Sequence, residues 1–552
     1  MPHDPLAPAL ALIPPILYLL IGLIPAGWAN ARAGAMAGLA VNAAWASLAG
    51  AGATAIAHGL DSAQSWTIHP LAPAGQSGLP VNIYVNGLTV TMLLLVSFVG
   101  AVVTRYARVN LDGDPNQGRF HKWLAMTLAA ILTLIVSGNL LLFAFAWIAT
   151  SLFLHQLLMF YRERPAAVLA AHKKFVASRI GDISLLFAVA LIASSLHTLD
   201  FSRMFRILAT PGIPVPASLD IAALLIVVSA ALKSAQFPFH GWLIQVMEAP
   251  TPVSALLHAG IVNAGAFLVV RMSPVISHSE TARCVLVAIG LITLALSSLV
   301  MLTQTSIKVS LAWSTTAQMG FMLLECGLGL YSLAILHVVT HSLYKAHAFL
   351  ASGSSVDGFR APVLPYPRGG LRPGRLLLSL VTGSTLTLVT AAAFGVTVHS
   401  APALLAAATV VAIATSQLLL LAFTETEGTP SFPQALGLGV VVVVAYFTLH
   451  AGFEAALATS LLPVPDPTSR FQTALAATVV GVFLVLLVVQ RILKTDPAAL
   501  GKGLYLHLYN GLYVDVYITR LLQRVWPSPP ADTGAGAPPA PFATIPGTRG
   551  GA

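Results

Sequence analysis

One lysine of this sequence lies at the end of a long apolar run, shortly before a proline. Lys233 closes the run Leu224–Leu232 and Pro238 follows five residues later, so a helix through the run would lose a backbone hydrogen bond beyond the lysine. Non-helical backbone beside a buried charge indicates a hydrated cavity, in which a desolvated lysine can exchange protons. The alternative is a lysine whose side chain reaches an aqueous interface.

Three further protonatable residues recur at steps of four. His337, His341 and Lys345 would share one helix face, because each step turns the helix by only about 40°. Histidine titrates near neutral pH, so this stripe predicts a proton relay. Elsewhere, His258 follows Glu248 by ten residues; on their own, a core histidine and a helix-start carboxylate explain them equally well.

Four other charged residues lie in or beside apolar runs. Arg179 and Asp182 are three residues apart, and an intrahelical ion pair with a purely structural role is as good an interpretation as a functional one. Lys308 and Glu325 bracket one more run, where either residue could be a simple terminal charge.

The composition requires lipid around these runs. Of 552 residues, 57% are hydrophobic and 9% are charged, which is too little charge to cover a water-soluble protein of this length. A charge inside a bilayer is costly, so each residue above is a functional candidate. The net charge of +9 comes from short basic connections without stacking aromatics, so nucleic acid is not a predicted partner. Cys284 and Cys326 lie in apolar runs, and no metal site is predicted.

About fifteen runs are long enough to cross a bilayer as helices. Their centres are Leu17, Ala44, Leu94, Leu128, Phe145, Phe187, Val227, Ile261, Gly290, Met319, Val339, Thr385, Val411, Val442 and Phe483. Basic residues concentrate in the connections 105–122, 162–174 and 360–375, which the positive-inside rule places in the cytoplasm. An odd count then predicts an outside N-terminus and a cytoplasmic C-terminus, in a multi-pass protein of the cell inner membrane.

Two segments follow the last predicted span. Residues 504–526 are aromatic and partly amphipathic, which is typical of a helix at a membrane interface. Residues 527–552 are rich in Pro, Ala and Gly and have few large apolar side chains, so they predict a disordered tail.

Four motifs together resemble the antiporter-like proton-translocating subunits, a family shared by respiratory complex I and Mrp-type cation/proton antiporters. They are Lys233-Ser-Ala-Gln-Phe-Pro238, Ala249–Ala259, Ser306–Gly320 and His337–Lys345, in the family's order within residues 123–353. The resemblance implies an all-α polytopic membrane protein of about 14–15 transmembrane helices. It further implies an antiporter-like fold with discontinuous helices and two inverted half-channel repeats, the second degenerate.

The same resemblance assigns roles to the candidate residues. Lys233 would be the central lysine of the first half-channel, and Arg179 with Asp182 would form the family's charged turn. Residues of the polar axis across the membrane midplane would be Lys308, His337, His341 and Lys345, with His258 beside them.

The chain departs from the family at two places. The family has a glutamate after the tryptophan of the fifth span, but here Ile148 follows Trp147. Charge partners that could replace it are Asp182, Glu248 and Glu325; otherwise Lys233 acts without one. The span that would carry the second-half lysine, 379–398, has no Lys, Asp or Glu, and its nearest ionisable residue is His399.

Within the family, His240–Gly265 and Leu508–Pro527 look most like the membrane subunits of the inorganic-carbon accumulation complexes. This resemblance implies a non-enzymatic subunit that conducts cations, with the proton favoured. The ion flow would drive CO2 hydration to bicarbonate by a cytoplasmic partner, DabA, which resembles a zinc carbonic anhydrase. Zinc would belong to that partner, and this chain would hold no cofactor.

Two alternatives stay open: a subunit of a respiratory or Mrp-type antiporter complex, and a structural anchor whose channel has decayed. The predicted division of the chain is N-terminal helices 1–115, first repeat 116–270, second repeat 271–425, C-terminal helices 426–503, interfacial segment 504–526 and tail 527–552.

Overall fold

The computed structural model of the chain describes residues 6–60, 65–68, 81–210, 216–246, 249–354, 373–397, 402–423, 431–462, 469–495 and 502–526. The first part contains α1 (Leu6–Ala11), α2 (Ile13–Leu23), α3 (Ala26–Ala31), α4 (Ala33–Leu60), β1 (Ser65–Ile68), β2 (Val81–Tyr84), α5 (Gly87–Asn110), α6 (Gln117–Val136), α7 (Leu140–Leu158), α8 (Pro165–Leu196) and α9 (Phe201–Ala209). The middle part contains α10 (Ala217–Lys233), α11 (Gly241–Gln245), α12 (Thr251–Ala259), α13 (Ala264–Arg271), α14 (Ser273–Ile276), α15 (Glu280–Met301), α16 (Ile307–Gly327) and α17 (Tyr331–Leu350). The last part contains α18 (Pro373–Ala393), α19 (Pro402–Leu421), α20 (Phe432–Leu457), α21 (Arg470–Thr495), α22 (Lys502–Tyr509) and α23 (Val514–Val525).

The predicted polytopic all-α fold is confirmed. Within the described ranges, twelve helical segments are long and apolar enough to cross a membrane. Three more helices, α10, α16 and α17, have 17, 21 and 20 residues and pack among these segments. The twelve and the three together make fifteen, and each predicted span centre lies in one of them.

The bundle has two ends that differ in composition. At one, the sheet end, β1 pairs with β2 in antiparallel register, and bridges join Ile83 to Ser137 and Asn139 to Asp200. The other, the basic end, holds the connection 111–116 between α5 and α6 and the connection 159–164 between α7 and α8. Here the Lys122 Nζ donates to the Ile24 carbonyl at 2.6 Å, so the span of α1 and α2 ends at this side.

Two helical spans are interrupted inside the bundle. Helix α10 ends at Lys233 because Pro238 cannot donate to the carbonyl four residues earlier, and helix resumes only at Gly241. The span 251–271 is interrupted at Gly260, where a 3-10 turn, Ile261–Asn263, joins α12 to α13. The sequence predicts the first interruption and not the second.

Close backbone contact fixes α15 against α16, the most extensive helix pair of the bundle. A Cβ atom added at Gly290 would lie 2.6 Å from the Gly320 carbonyl oxygen, and one added at Gly320 would lie 2.8 Å from that of Gly290. Small residues at such crossings are the usual means of close helix packing in membranes. The pair positions Lys308 and Glu325, which lie at opposite ends of α16.

Several sequence expectations need correction or fall outside the described ranges. Lys173 and Lys174, expected in a connection, lie within α8, because Pro165 starts that helix well before them. The segment 504–526 is not one helix but contains most of α22, a 3-10 turn at Gly511–Tyr513, and α23. Glu248, His399 and the expected tail 527–552 lie outside the described residues.

Candidate ion-conducting site

The ammonium group of Lys233 is held by one aromatic residue at the break in α10. Its Nζ donates to the Trp147 carbonyl at 3.1 Å and lies 4.3 Å from the centroid of the Trp147 ring. Lys233 is only 4% exposed. A cation over an indole face is stabilised by the ring quadrupole, so neutral groups replace much of the hydration of this lysine.

Asp182 supplies the negative charge near this lysine. It is buried on α8 and pairs with Arg179, whose Nη2 lies 2.6 Å from the Asp182 Oδ2. The charges of Asp182 and Lys233 act on each other. Two of the three carboxylates proposed to replace the family glutamate, Asp182 and Glu325, lie in the described residues, and of these two the charge of Asp182 acts on Lys233.

A polar bridge joins the first interrupted helix to α17. The Ser234 Oγ donates to the Val262 carbonyl at 2.7 Å, which couples the break in α10 to the break after α12. From that second break, the Asn263 Nδ2 donates to the Ser342 Oγ of α17 at 2.8 Å. The polar groups at the two interruptions therefore form hydrogen bonds that lead from Ser234, next to Lys233, to α17. We refer to His337, His341 and Lys345 of α17 as the histidine stripe.

His258 and Lys345 lie together in the centre of this region. The His258 ring stacks on Phe349 with the centroids 4.3 Å apart, and among the described residues its two ring nitrogens have no hydrogen-bond partner. The Lys345 Nζ donates to the Leu311 carbonyl and to the Ser314 Oγ, each at 3.0 Å. The charges of Lys345 and His258 interact, so the stripe on α17 and the interrupted helix share one buried site.

His337 connects the stripe to a carboxylate. Its Nδ1 lies 3.0 Å from the Glu325 Oε2 and its Nε2 lies 2.8 Å from the Gln318 Oε1. Each ring nitrogen faces an oxygen acceptor. An imidazolium satisfies both contacts, and a neutral imidazole does so if the Gln318 amide is turned so that its nitrogen donates. The His341 ring follows, with its centroid 6.3 Å from that of His337. Glu325 is 3% exposed and is therefore a buried partner of the stripe.

Lys308 is not brought into this cluster. It is exposed at the start of α16, one turn before the Leu311 carbonyl that accepts from Lys345. The contacts of Glu248 lie outside the described residues. The functional roles of all these residues stay predictions, which the experiments below address.

Three features of the site carried little signal in the sequence. Lys174 is 2% exposed, and its Nζ donates at 2.8 Å to both the carbonyl and the Oγ of Ser151. Gln318 gave no signal because an amide does not stand out in a polar stretch. No proline lies at the break at Gly260, so the sequence does not mark this interruption. Among the described residues, no three His, Cys, Asp or Glu side chains are grouped as a metal site.

A further buried cation, Arg271, fixes the sheet end of the bundle. The Arg271 Nη2 donates to the Thr89 Oγ1 at 2.8 Å and to the Ile135 carbonyl at 3.1 Å. The guanidinium also lies 5.5 Å from the Tyr84 ring centroid and 5.3 Å from that of Phe267. Burial raises the pKa of the Tyr84 phenol, while the charge of Arg271 opposes that shift. We interpret this cluster as structural, since it joins α5, α6 and α13 at one end.

The C-terminal helix α23 is attached to the basic end next to the interrupted helix. The Lys173 Nζ donates to both oxygens of Asp515 at 2.8 Å, and the Gln245 Nε2 donates to the Asp515 Oδ2 at 2.7 Å. A Cβ atom at Gly241 would overlap the same carboxylate, so a larger residue at the start of α11 would displace the Asp515 side chain. We refer to Lys173, Gln245 and Asp515 as the C-terminal latch.

Comparison with known proteins defines the class of protein to which this fold and site belong. Residues 137–361 match the family model described as NADH:quinone oxidoreductase/Mrp antiporter, TM, and residues 71–121 match NADH-Ubiquinone oxidoreductase (complex I), chain 5 N-terminus. An archaeal respiratory membrane complex, the membrane-bound sulfane sulfur reductase, contains a chain of the same fold. The TM-score is 0.54 at 18% identity, over 94% of this chain and 99% of that one. The molecule is an antiporter-like membrane subunit.

Two relatives show to which branch of the antiporter-like subunits the chain belongs. The chain is 46% identical over 461 residues to the probable inorganic carbon transporter subunit DabB2 of Halothiobacillus neapolitanus, covering 82% of each protein. It is 46% identical over 278 residues to the probable inorganic carbon transporter subunit DabB of Hydrogenovibrio crunogenus, covering 50% of this chain and 53% of the relative. The chain belongs to the DabB family.

Proposed function

We propose that this chain is the ion-conducting membrane subunit of a two-component inorganic carbon transporter. It passes cations, with the proton favoured, down their electrochemical gradient. This flow drives the one-way hydration of CO2 to bicarbonate by a cytoplasmic partner of the DabA type. The partner resembles a zinc carbonic anhydrase, and zinc-bound hydroxide is a suitable nucleophile for CO2.

The observation that carries this proposal is the continuity of the polar site through the apolar bundle. Lys233 is linked through Ser234 and the break after α12 to Ser342 of α17, which lies beside His341. Ionisable side chains inside a membrane are costly, and a connected series of them marks an ion or proton route. The names of the relatives supply the inorganic carbon part of the proposal.

Each group in the site has a distinct task in such a route. Lys233 accepts a proton in a setting where Trp147 replaces its hydration and Asp182 stabilises its charged form. His258, His341 and Lys345 hold protons in turn near the centre. Glu325 and Gln318 fix the His337 ring and stabilise its imidazolium, which is the far end of the described stripe.

The partner is proposed to bind at the basic end, which we assign to the cytoplasm. The positive-inside rule supports this side, because the connections at this end carry basic residues such as Arg162 and Arg164. The span 6–23 ends at this side while α23 lies on it, which supports termini on opposite faces of the inner membrane.

Metal and chromophore analysis tests the proposal directly. The complex is purified through this chain from native membranes, and its zinc content, flavin absorbance and iron–sulfur absorbance are measured. We expect zinc, a large soluble partner and no redox chromophore. Flavin and iron–sulfur signals would instead assign the chain to a respiratory complex, and the absence of zinc and of chromophores would favour a stand-alone antiporter.

Two other functions are each favoured by one observation. The family model over 137–361 names both complex I and Mrp antiporters, so a respiratory or cation/proton antiporter subunit is the nearest alternative. Sodium-dependent proton release from vesicles would support the Mrp form. A structural anchor is favoured by α18, which is continuous and has no Lys, Asp or Glu from 379 to its end at Ala393.

A further inference from the structure

A buried lysine outside the predicted site, Lys174, binds α7 one helical turn from the point where Lys233 binds it. The Lys174 Nζ donates to the Ser151 carbonyl, and the Lys233 Nζ donates to the Trp147 carbonyl, both on α7. These carbonyls are four residues apart, so the two ammonium groups bind α7 at points separated by about 6 Å along its axis. This separation is suited to proton transfer through one hydroxyl or one water molecule.

The charges around these two lysines do not balance. Among the described residues, Lys174, Lys233 and Arg179 are the cations here, and Asp182 is the carboxylate whose charge acts on both lysines. Buried charge without a partner is unfavourable. The surplus therefore favours a state in which one lysine is neutral and free to accept a proton from the other.

Two histidines continue from Lys174 towards the basic end. His155 is one turn beyond Ser151 on α7, and the charge of Lys174 acts on it. Its Nδ1 is buried without a hydrogen-bond partner among the described residues. His172 is nearly parallel to it, with the ring centroids 6.4 Å apart. The outer face of His172 is stacked on Trp526, just after α23, with 4.1 Å between the centroids.

We propose that His172, His155 and Lys174 form the access route by which protons reach Lys233 from the basic end. A proton on the His155 imidazolium moves to the neutral Lys174 amine. The Lys174 ammonium, held by the Ser151 hydroxyl, then passes one proton to the neutral Lys233 amine. Each step breaks one N–H bond and forms another, and the net result is one proton transferred from the basic end to Lys233. This inference rests on the proposed function, because it assumes that the chain conducts protons.

The substitution Lys174→Arg separates this role from a structural one. Arginine keeps a buried cation that can donate to Ser151, but it does not release its proton. The complete complex is reconstituted in vesicles with a trapped pH-sensitive dye, and proton uptake is driven by a potassium diffusion potential. We expect Lys174→Arg and Lys174→Met to lower uptake about a hundredfold, as for loss of a proton-transfer group.

Controls distinguish failure of this inference from failure of the proposed function. Lys122→Met removes a lysine that also donates to a carbonyl at the basic end, and it should conduct like the parent protein. No uptake by the parent protein would overturn the proposed function itself. Parent-like uptake by Lys174→Arg would overturn the route while leaving the function intact.

Chemical rescue provides a second test that does not depend on Lys174. His155→Gly opens a space beside Lys174, and imidazole added on the side of the basic end should restore at least part of the lost uptake. A structural defect would not respond to imidazole. Unchanged uptake in His155→Gly, or a loss that imidazole leaves unaltered, would contradict the role of His155.

Discussion

The Lys233 ammonium lies over the Trp147 ring and donates to the carbonyl of the same residue. The two contacts measure 4.3 Å to the ring centroid and 3.1 Å to the carbonyl oxygen. Ile148 follows this tryptophan, so the family glutamate is absent and the carboxylate that acts on Lys233 is Asp182 on the adjacent helix. The direct contacts of Lys233 are with the neutral residue Trp147, and the carboxylate of Asp182 acts on it from the adjacent helix. In this arrangement a gain or loss of a proton by the lysine breaks no direct ion pair.

Replacement of this lysine is the first prediction. Lys233→Ala should abolish partner-dependent carbon accumulation while the complex still assembles, because the ammonium makes its hydrogen bond to a single backbone carbonyl. Accumulation of labelled bicarbonate is measured in cells at matched expression, with Lys122→Ala as the control. Retained accumulation in Lys233→Ala would favour the structural anchor.

The second prediction concerns the carboxylate near Lys233. Asp182→Asn should lower proton uptake at least about tenfold, since removal of an opposite charge weakens the charged form of the lysine. The double variant Ile148→Glu with Asp182→Asn restores a carboxylate next to Trp147 and should recover part of the uptake. Uptake in Asp182→Asn equal to that of the parent would show that this carboxylate does not assist Lys233.

The buried Glu325–His337 pair gives the third prediction. Glu325→Gln should lower proton uptake about tenfold or more, because the amide no longer stabilises an imidazolium at His337. The matched control is Glu454→Gln on α20, where an exposed carboxylate lies 3.6 Å from His450. Equal uptake in the two variants would remove His337 from the route.

The fourth prediction tests the C-terminal latch by a double-mutant cycle. Lys173→Gln and Asp515→Asn each remove one side of a charged hydrogen bond, for which a coupling of about 1.5–3 kcal/mol is expected. Each single variant should increase hydrogen exchange in α23, and the double variant should add little to either one. Additive effects in the cycle would mean that the two residues do not stabilise each other.

The fifth prediction concerns the contact between α15 and α16. Gly290→Ala should destabilise the purified protein by about 1–3 kcal/mol, since the new methyl group overlaps backbone of α16. Gly452→Ala on α20 has open space around the added atom and should leave the melting temperature unchanged or slightly raised. A parent-like melting temperature for Gly290→Ala would contradict the close approach.

Local sequence patterns predicted the spans and several of the buried ionisable groups, among them Lys233, His341 and Lys345. Every predicted span centre lies in a helical segment, because apolar runs of this length have few other solutions in lipid. The spacing of His337, His341 and Lys345 correctly indicated one helix, α17. Proline chemistry identified the break after Lys233, and the missing glutamate was visible at Ile148.

Features that depend on distant contacts could not be predicted in this way. Lys174 resembled a charge in a connection, and its burial depends on Ser151 of another helix. The partner of His337 was ambiguous, because Glu325 lies in the last turn of α16 and could equally have faced water. Asp515 lies in a segment whose sequence pattern predicts only an amphipathic helix, and its partner Lys173 lies 342 residues earlier in the chain.

That separation has a consequence for how the protein is made. Lys173 emerges from the ribosome 342 residues before Asp515, which corresponds to about 20–70 s of synthesis at ordinary elongation rates. During that interval the helices around Lys233 have entered the membrane without α23 on the basic end. The last of the described helices to be synthesised therefore covers the basic end beside Lys173, and a chain that stops before it would leave Lys173 without its carboxylate partner.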